Sequence, residues 1–531
     1  MTRNSVPISW GDQVTVQYIG GIPYRVYEPR VRRVGQLLDY SGRWADKAHA
    51  IQADNTLTFG ELGAVVQRKA EELVSLGAKP GDRIVILGWN SPDWVVNLWA
   101  TWRAGAVPVL ANAWWSVPEI DAALDTLQPV LVLADERGSA KVPAGWRTAS
   151  WTTESGTDSS HDEHERDSLD DENEPALILF TAGSTGPPKA VVLSHRALIA
   201  GLHSLLAVTN RLPQNLTRSS SGVALHTGPL FHIGGVQTLL RAVVVGETLI
   251  FPSGKFDAVA AMTLIERHKV TRWSAVPTMV IRLLDCYKDH PYDLSSLRSL
   301  TIGGAAAHPA VWRRIRAELP MVEARTVTGY GLTENGGQAT AATGRDTLKR
   351  PGGLGRPLPC VEIKIADSSD GRDGEVLLRS PTQMIGYYGE TANPIDAEGW
   401  LHTGDLGYLD DDGYLWITGR SKDLIIRGGE NIAPAAVEKA LTDLPGVIDA
   451  AVFGVPHADL GEEVAAVVVV AGSLLQQTDL TQGFTEQLKT RLASFAIPSR
   501  WQFQSEPLPL LDSGKVDKIT LARESNVASL S

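Results

Sequence analysis

Cysteine is nearly absent from the sequence. The 531 residues include only Cys286 and Cys360, which lie far apart along the chain. A disulfide framework or a cysteine-based metal cluster needs more cysteines at closer spacing, so both are excluded. This low cysteine content is typical of the reducing cytosol, and we predict a cytoplasmic location.

Long apolar runs are also missing. The longest strongly apolar run, Val464 to Ala471, is far shorter than the roughly 20 residues of a membrane-spanning helix. Met1 to Tyr18 scatters polar residues among apolar ones and lacks the charged-then-apolar order of a signal peptide. We therefore predict no export signal and no membrane span, while peripheral contact with a membrane stays open.

An excess of positive charge is the third absence. The chain has 49 Lys and Arg residues against 61 Asp and Glu residues, a formal net charge of −12. Nucleic-acid binding requires a concentrated basic face, so we expect no nucleic-acid partner. Whether the protein forms a homodimer stays open.

Strands alternate with helices along most of the chain. Apolar residues recur at helical spacing from Thr58 to Leu76 and from Ser91 to Arg103, whereas Arg83 to Leu87 and Ala106 to Leu110 are short apolar runs typical of buried strands. Alternating strands and helices predict an α/β fold with layered, mostly parallel sheets.

The length predicts more than one domain, because single hydrophobic cores seldom grow beyond roughly 300 residues. We predict a large N-terminal domain over residues 1–420 and a small α+β domain over residues 421–531. The small domain is expected to contain two helices and two strands: Pro434 to Leu441, Asp479 to Leu492, Ile448 to Phe453 and Val464 to Val470.

Three other segments complete the outline. Val244 to Phe251 and Leu300 to Ile302 are predicted to be strands. Glu154 to Glu174 is crowded with Ser, Asp and Glu and is predicted to be a solvated loop. His161 and His164 lie in this loop without the spacing of metal ligands, and we assign them no site.

A Gly-rich loop joins two predicted strands, Ala176 to Phe180 and Val191 to Leu193. Its sequence, Thr-Ala-Gly-Ser-Thr-Gly-Pro-Pro-Lys over residues 181–189, offers hydroxyls, flexible glycines and a lysine that suit phosphate oxygens. Pro188 and Ala190 flank Lys189 where a P-loop has glycine and Ser or Thr, so a P-loop NTPase is not indicated. Taken alone, such a turn is a plain connector about as often as it is a phosphate-binding loop.

Four further segments favour a phosphate-binding loop over a plain connector. They are Pro229-Leu-Phe-His232, Gly329-Tyr-Gly-Leu-Thr-Glu334, Trp400-Leu-His-Thr-Gly-Asp405 and Gly419-Arg-Ser-Lys-Asp423. In order and spacing, together with the Gly-rich loop, they resemble the acyl-activating (adenylate-forming) superfamily of acyl-CoA synthetases, peptide-synthetase adenylation domains and luciferases. The resemblance runs from about Leu57 to Lys518.

The resemblance implies an ATP site. Thr181, Ser184, Thr185 and Lys189 would hold the β- and γ-phosphates, and Glu334 would hold Mg²⁺, a hard cation suited to carboxylate and phosphate oxygens. Tyr330 would stack on adenine, Thr333 would contact the α-phosphate, and Asp405 with Arg420 would bind the ribose hydroxyls. The remaining implied nucleotide-binding residues are Gly186, Gly303, Gly304, Ala305 and Gly331.

The resemblance also implies an acyl pocket beside the nucleotide. His232 matches the family histidine next to the reacting carboxylate. The pocket is expected to be bounded by His232, Gly234, Gly235, Val276, Thr278, Gly303, Leu332, Gly336 and Gly337. No Asp follows His232 closely enough to meet an α-ammonium group, and Gly234 leaves room for a hydrophobic, aliphatic acid.

In the small domain, Lys515 resembles the mobile catalytic lysine of the family, which bridges the carboxylate and the α-phosphate. Leu510 and Leu511 stand where the family commonly has Arg-Thr, a departure that puts docking of this loop in doubt. Lys422 matches the hinge about which the domain would rotate between half-reactions. Gly428 and Gly429 match the residues that line the pantetheine tunnel for CoA.

The resemblance therefore implies an AMP-forming acyl-CoA synthetase that uses ATP, Mg²⁺ and CoA. The acid would first become an acyl-AMP, and a thiol would then displace AMP. Three alternatives stay open: loading of an acyl-carrier protein, an aryl- or polycyclic-acid CoA ligase, and a luciferase-like oxidase. A non-catalytic nucleotide-binding regulator is disfavoured because Lys189, Glu334 and Lys515 are all present.

Overall fold

The alternating strands and helices form two large sheets and several smaller ones. The computed structural model describes residues 10–153, 171–181, 188–217, 221–288, 292–303, 309–366, 373–427, 430–457, 460–472, 474–475, 480–511 and 515–527. By internal packing the chain divides into two compact units: a first unit of Met1–Ile363 and Leu378–Leu401, and a second unit of Lys364–Leu377 and His402–Ser531. The boundary predicted after Arg420 separates the N-terminal domain from a mobile C-terminal domain, and it stays a prediction.

A seven-stranded sheet lies in the first unit. Its strands, in spatial order, are Gly386–Tyr387, Lys189–Ser194, Pro175–Thr181, Val107–Leu110, Arg83–Leu87, Leu131–Ala134 and Thr148–Ala149. The last five pair in parallel, and Lys189–Ser194 is antiparallel to both of its neighbours. The central strands are buried, which explains their uninterrupted apolar sequences.

A nine-stranded sheet is the second large element of this unit. Its spatial order is Arg356–Pro357, Thr340–Thr343, Thr326–Thr328, Ser299–Ile302, Arg272–Ala275, Val223–His226, Thr248–Ile250, Ala48–Gln52 and Asn55–Thr58. The six strands from Thr326–Thr328 to Ala48–Gln52 are parallel. Trp273, Leu300 and Ile302 pack in one buried core with Val280 and Leu284 of the helix Pro277–Tyr287.

Helices cover these sheets. The α-helices of the first unit within the described residues are Phe59–Ser75, Pro92–Arg103, Val117–Leu127, Glu136–Ser139, His195–Val208, Ile233–Val245, Ala258–His268, Pro277–Tyr287, Pro309–Glu318 and Gly344–Lys349. The first of them begins where Thr58 accepts a hydrogen bond from the backbone N–H of Glu61 and the Glu61 side chain bonds back to Thr58. Short 3₁₀ helices cover Val34–Trp44, Pro213–Asn215, Pro320–Arg325 and Thr333–Asn335.

Two-stranded ribbons complete the first unit, at Gln13–Ile19 with Ile22–Glu28 and at Gly331–Leu332 with Gly337–Gln338. Most residues of a four-stranded sheet belong to the second unit; its strands are Glu362–Ile365, Gly374–Arg379, Leu401–Leu409 and Leu415–Arg420.

The second unit also contains a five-stranded sheet. Its strands are Glu430–Ile432, Ile425–Arg427, Gly461–Val470, Val447–His457 and Arg500–Gln504, and its helices are Pro434–Thr442, Leu480–Leu488 and Lys518–Val527, with short 3₁₀ turns at Ser421–Asp423 and Ser494–Ala496. Val464, Val468 and Val470 pack in one core cluster, while Val467 and Val469 pack in another. Val464 to Val470 of the apolar run is therefore a strand segment buried on both faces.

The α/β fold class is confirmed, and the predicted strand at Val244 to Phe251 is wrong over most of its length. Val244 and Val245 end the helix Ile233–Val245, and only Thr248–Ile250 of the predicted strand is a strand. Gly246 ends the helix in a left-handed conformation with φ of 68°, which glycine adopts without strain. A short apolar run does not distinguish the buried end of a helix from a strand.

At its described end, the predicted solvated loop at Glu154 to Glu174 has the predicted irregular backbone and exposed Asp171 and Asn173, but Glu172 is buried. Residues 154–170, including His161 and His164, lie outside the described part. Glu172, however, is 8% exposed, and its carboxylate accepts hydrogen bonds from Arg30 Nη2 at 2.5 Å and Arg32 Nη1 at 3.0 Å. The buried carboxylate is paired because an unpaired charge there is costly.

Among the described residues, no helix is both long and apolar enough to span a bilayer.

Candidate functional site

Four neighbouring parallel strands end at one edge of the nine-stranded sheet. They are Val223–His226, Arg272–Ala275, Ser299–Ile302 and Thr326–Thr328. The segments that follow them carry predicted site residues: His232, Val276, Thr278, Gly303 and Tyr330. The backbone N–H of Gly303 donates to the carbonyl of Ala275 at 3.2 Å, which joins two of these segments. The carboxyl ends of parallel strands are the common ligand-binding edge of α/β sheets.

The helix after His232 begins with two predicted pocket glycines. His232 is extended, with φ of −102°, and precedes the helix Ile233–Val245. A Cβ atom at Gly234 would meet nothing within 4 Å, whereas one at Gly235 would lie 2.6 Å from the carbonyl oxygen of Pro229. Gly234 therefore borders open space, while Gly235 is required for close backbone packing.

A tight hairpin brings together four residues of the predicted nucleotide site and acyl pocket: Gly331, Leu332, Gly336 and Gly337. Gly331 pairs with Gln338, and Leu332 pairs with Gly337, across the turn Thr333–Asn335. Gly336 has φ of 61°, and a Cβ there would lie 2.4 Å from the Thr382 carbonyl oxygen. The turn thus requires glycine.

The hairpin lies beside the His232 helix. A Cβ built at Gly337 would lie 3.5 Å from Ile233 Cγ1. The structure therefore brings together two parts of the predicted acyl pocket that are about a hundred residues apart in sequence.

Asn90 holds the segment that leads to His232, and sequence analysis missed it. Its Nδ2 donates to the Gly228 carbonyl at 2.7 Å, and its Oδ1 accepts from the Leu230 N–H at 2.9 Å. The available signal was a polar residue shortly after the strand Arg83–Leu87, at the carboxyl end of a parallel strand.

Thr181 and Lys189 are direct cross-strand partners at the ends of two antiparallel strands. The predicted strand-to-strand connection is confirmed, whereas Ser184, Thr185 and Gly186 lie outside the described residues. Lys189 Nζ lies 3.1 Å from Glu390 Oε2, and the Lys189 side chain is 48% exposed. Lys189, the last residue of the predicted phosphate loop, therefore carries a charge that solvent can reach.

Glu334 lies in the turn of the hairpin and is partly buried. Its Oε1 accepts a hydrogen bond from the Tyr387 hydroxyl at 3.0 Å. Burial, followed by the negative charge and hydrogen bond of Glu334, raises the pKa of Tyr387 above its ordinary value. A carboxylate in this setting fits the one or two protein ligands that Mg²⁺ usually takes beside phosphate oxygens.

Asp405 and Arg420 form the predicted pair within the second unit. They are opposite residues on adjacent antiparallel strands, and Arg420 Nε lies 2.8 Å from Asp405 Oδ1. The Asp405 side chain is 5% exposed and that of Arg420 is 42% exposed. A buried carboxylate is thus held by a guanidinium that still faces solvent.

Lys515 is exposed in the second unit. Its carbonyl accepts from the Leu511 N–H at 2.7 Å, and Leu510 forms a β-bridge with Val516, so Lys515 and Val516 pair with the residues that end the preceding described stretch. Lys422 lies in the 3₁₀ turn Ser421–Asp423, and its side chain lies outside the described part. Gly304, Ala305, Gly428 and Gly429 also lie outside it.

Comparison with known proteins gives matches over most of the chain. The model of the AMP-binding enzymes matches residues 39–388, and that of the AMP-binding enzyme C-terminal domain matches residues 436–515. A feruloyl-CoA synthase of Amycolatopsis sp is 34% identical over 90% of this chain and 96% of its own.

Two further matches come from other organisms. A 3-[(3aS,4S,7aS)-7a-methyl-1,5-dioxo-octahydro-1H-inden-4-yl]propanoyl:CoA ligase of Mycobacterium tuberculosis is 35% identical over 89% of this chain and 95% of its own. The structure of O-succinylbenzoate coenzyme A synthetase from Bacillus subtilis, in complex with ATP and magnesium ion, matches with a TM-score of 0.74 and 28% identity over 91% of this chain and 98% of that chain.

These matches cover both the sheet edge with His232 and Tyr330 and the domain with Lys515. They agree with the resemblance that the ordered motifs indicate. The chain belongs to the AMP-binding enzyme family, in the acyl-CoA ligase branch of the adenylate-forming superfamily.

Proposed function

We propose that this acid–thiol ligase uses ATP, Mg²⁺ and CoA to convert a hydrophobic carboxylic acid into its acyl-CoA. The main support is the convergence of His232, Gly303 and Tyr330 at one edge of the parallel sheet. The relatives named as a feruloyl-CoA synthase and a CoA ligase, and the structure in complex with ATP and magnesium ion, support the same cofactors.

In the first step, a carboxylate oxygen of the acid attacks the α-phosphorus of ATP. The bond between that oxygen and the α-phosphorus forms as the bond from the α-phosphorus to the α,β-bridging oxygen breaks, and pyrophosphate leaves with the electrons of the broken bond. Lys189 neutralises charge on the departing phosphates, and Lys515 neutralises charge at the α-phosphate and the attacking carboxylate. Thr181 donates a hydroxyl hydrogen bond to the phosphates.

The nucleoside is held by other residues. The Tyr330 ring stacks on adenine, and Thr333 contacts the α-phosphate. Asp405 accepts hydrogen bonds from ribose hydroxyls, and the exposed guanidinium of Arg420 donates to them. Glu334 would hold Mg²⁺, which, when bound, neutralises phosphate charge.

In the second step, a thiolate attacks the acyl carbonyl and AMP leaves with the electrons of the C–O bond. No protein nucleophile is required, because AMP is already a good leaving group. His232 orients the acyl carboxyl group beside the attacking thiol. Gly428 and Gly429 line the path of the thiol, where side chains would obstruct it.

For the acid, we propose an aliphatic, fatty acid first and a ring-bearing propanoic or propenoic acid second. Open space at Gly234 supports a bulky acyl group. The two relatives named for feruloyl and fused-ring propanoyl groups favour the second class. Both classes are hydrophobic, in agreement with a pocket bounded by Val276, Leu332 and glycines.

To test the proposed function, purified protein is incubated with ATP, Mg²⁺ and one acid at a time. The panel contains short, medium, long, aryl and fused-ring acids. Mass spectrometry then follows acyl-AMP without a thiol and the thioester after addition of CoA or a holo acyl-carrier protein. We expect acyl-AMP and then acyl-CoA. A thioester on the carrier protein alone would overturn the proposed acceptor while retaining adenylation.

A further inference from the structure

The short strand Gly386–Tyr387 closes one edge of the seven-stranded sheet. Tyr387 pairs with Val191 and Gly386 with Val192, on the strand that begins at Lys189. Two backbone hydrogen bonds extend this pairing, from Ile385 to the Val192 carbonyl and from Tyr388 to the Ala190 carbonyl, each 2.8 Å long. The backbone of Tyr387 is therefore fixed relative to that of Lys189.

The same segment is fixed relative to Glu334. The backbone N–H of Met384 donates to the Glu334 carbonyl at 2.8 Å. The Tyr387 hydroxyl donates to Glu334 Oε1 at 3.0 Å. Since one carboxylate oxygen accepts from the phenol, rotation of the carboxylate is restricted and its other oxygen is presented in one direction.

The ring of Tyr387 also contacts the lysine. Lys189 Nζ lies 4.5 Å from the ring centroid, within the range of a cation–π interaction. The same ammonium lies 3.1 Å from Glu390 Oε2. One tyrosine side chain thus contacts both the predicted phosphate-binding lysine and the predicted metal-binding carboxylate.

We propose that Tyr387 is a positioning residue: its hydroxyl orients the Glu334 carboxylate for Mg²⁺, and its ring holds the Lys189 ammonium in place. This inference rests on the proposed function, because it takes the roles of Glu334 and Lys189 from it. The hydroxyl acts on the metal ligand and the ring acts on the lysine. The two effects are therefore separable by substitution.

The test measures metal binding directly. Mn²⁺ replaces Mg²⁺, the ATP analogue α,β-methylene-ATP is present at the same concentration as the protein, and unbound Mn²⁺ is followed by electron paramagnetic resonance, with the Mn²⁺ that the analogue binds without protein subtracted. Tyr387→Phe retains the ring and the strand pairing and removes only the hydroxyl. We expect its Mn²⁺ affinity to fall by about 10-fold or more, as for other residues that orient metal ligands.

Two further variants separate hydroxyl from ring. Tyr388→Phe removes the adjacent hydroxyl and should leave Mn²⁺ affinity unchanged. Tyr387→Leu should lose Mn²⁺ affinity as Tyr387→Phe does, and should in addition bind α,β-methylene-ATP more weakly in EDTA, because Lys189 loses the ring. Tyr387→Phe should bind the analogue normally in EDTA.

A double-mutant cycle shows whether Tyr387 acts through Glu334. In a Glu334→Gln background, Tyr387→Phe should cause no additional loss of Mn²⁺ affinity. Full additivity would overturn the inference, and so would wild-type Mn²⁺ affinity in Tyr387→Phe. A fall in melting temperature of more than about 5 °C in Tyr387→Phe would indicate a structural role and would also count against it.

Failure of the inference is distinguishable from failure of the proposed function. If wild-type protein forms acyl-AMP while Tyr387→Phe retains normal Mn²⁺ affinity, only the role of Tyr387 is wrong. If wild-type protein forms no acyl-AMP with any acid and binds no Mn²⁺ with the analogue, the proposed function itself is wrong.

Discussion

Asp405 and Arg420 face each other across two antiparallel strands, and Arg420 Nε lies 2.8 Å from Asp405 Oδ1. The carboxylate is buried, whereas the guanidinium is 42% exposed. The pair therefore has a structural role, in neutralising Asp405, and a proposed binding role toward the ribose of ATP.

Arg420→Ala should raise the KM for ATP by about 10-fold and lower stability. The substitution removes one hydrogen-bonding and charge partner of the buried Asp405 carboxylate, at a cost of about 1–3 kcal/mol. Thermal unfolding and acid-dependent pyrophosphate release measure the two effects. Arg491→Ala, at an exposed position, is the matched control; an equal rise in KM there would contradict the specific role of Arg420.

Lys189→Ala should reduce kcat/KM for adenylation by about 100-fold, the size of effect typical for one preorganised charge in a transition state. Stability should change by less than about 1 kcal/mol, because the ion pair with Glu390 is exposed. Glu390→Gln breaks the same ion pair and should retain adenylation. If both variants lose activity equally, the ion pair matters and the phosphate role is wrong.

Lys515→Ala should impair adenylation by at least about 100-fold and spare thioester formation from supplied acyl-AMP. Only the first step builds charge between the carboxylate and the α-phosphate. Rapid-quench assays of each half-reaction, with Lys518→Ala as the nearby control, measure the difference. Equal losses in both half-reactions would contradict the assigned role.

Adjacent glycines at the start of the Ile233–Val245 helix should respond differently to substitution. Gly234→Leu enters open space, so the protein should fold normally and lose adenylation of bulky acids by 10-fold or more while retaining short ones. Gly235→Ala places a methyl group against the Pro229 carbonyl and should cost about 1–3 kcal/mol. An unchanged acid preference in Gly234→Leu would remove this residue from the pocket.

Buried His226 should contribute to acid sensitivity. Burial, followed by the charge of Arg272, lowers the pKa of His226 to about 4. Between this value and the ordinary pKa of about 6.5, the unfolded chain binds a proton that the folded chain does not, so stability falls as pH falls through this window.

In His226→Leu, the slope of unfolding free energy against pH between about 4 and 6.5 should decrease by up to about 1.4 kcal/mol per pH unit. Urea denaturation at several pH values measures it. The other buried histidines with lowered pKa values, His49, His195 and His203, should keep the remaining slope above zero. An unchanged slope would show that His226 does not contribute.

Local sequence patterns predicted the parallel strands well. Arg83–Leu87 has the predicted bounds, and Phe59–Ser75 differs from the predicted helix by one residue at each end. Apolar periodicity is a property of residues close in sequence, so it is readable without tertiary contacts. The end of the Ile233–Val245 helix was missed because its apolar residues are buried on all sides.

Local sequence patterns could not predict the tertiary contacts. Tyr387 and Glu334 are 53 positions apart, and the Asn90 contacts span about 140. No periodicity links such positions, and only the pairing of Gly386–Tyr387 with the Lys189 strand makes the first contact possible. Motif residues were predictable individually, whereas the residues that hold them in place were not.

Acyl-AMP formation is tested most directly by the exchange of labelled pyrophosphate into ATP, measured with and without each acid of the panel. We expect exchange that depends on a hydrophobic acid and on Mg²⁺ and that is at least about 100-fold slower in Lys515→Ala. Exchange without any acid, or no exchange with every acid in a well-folded protein, would contradict it.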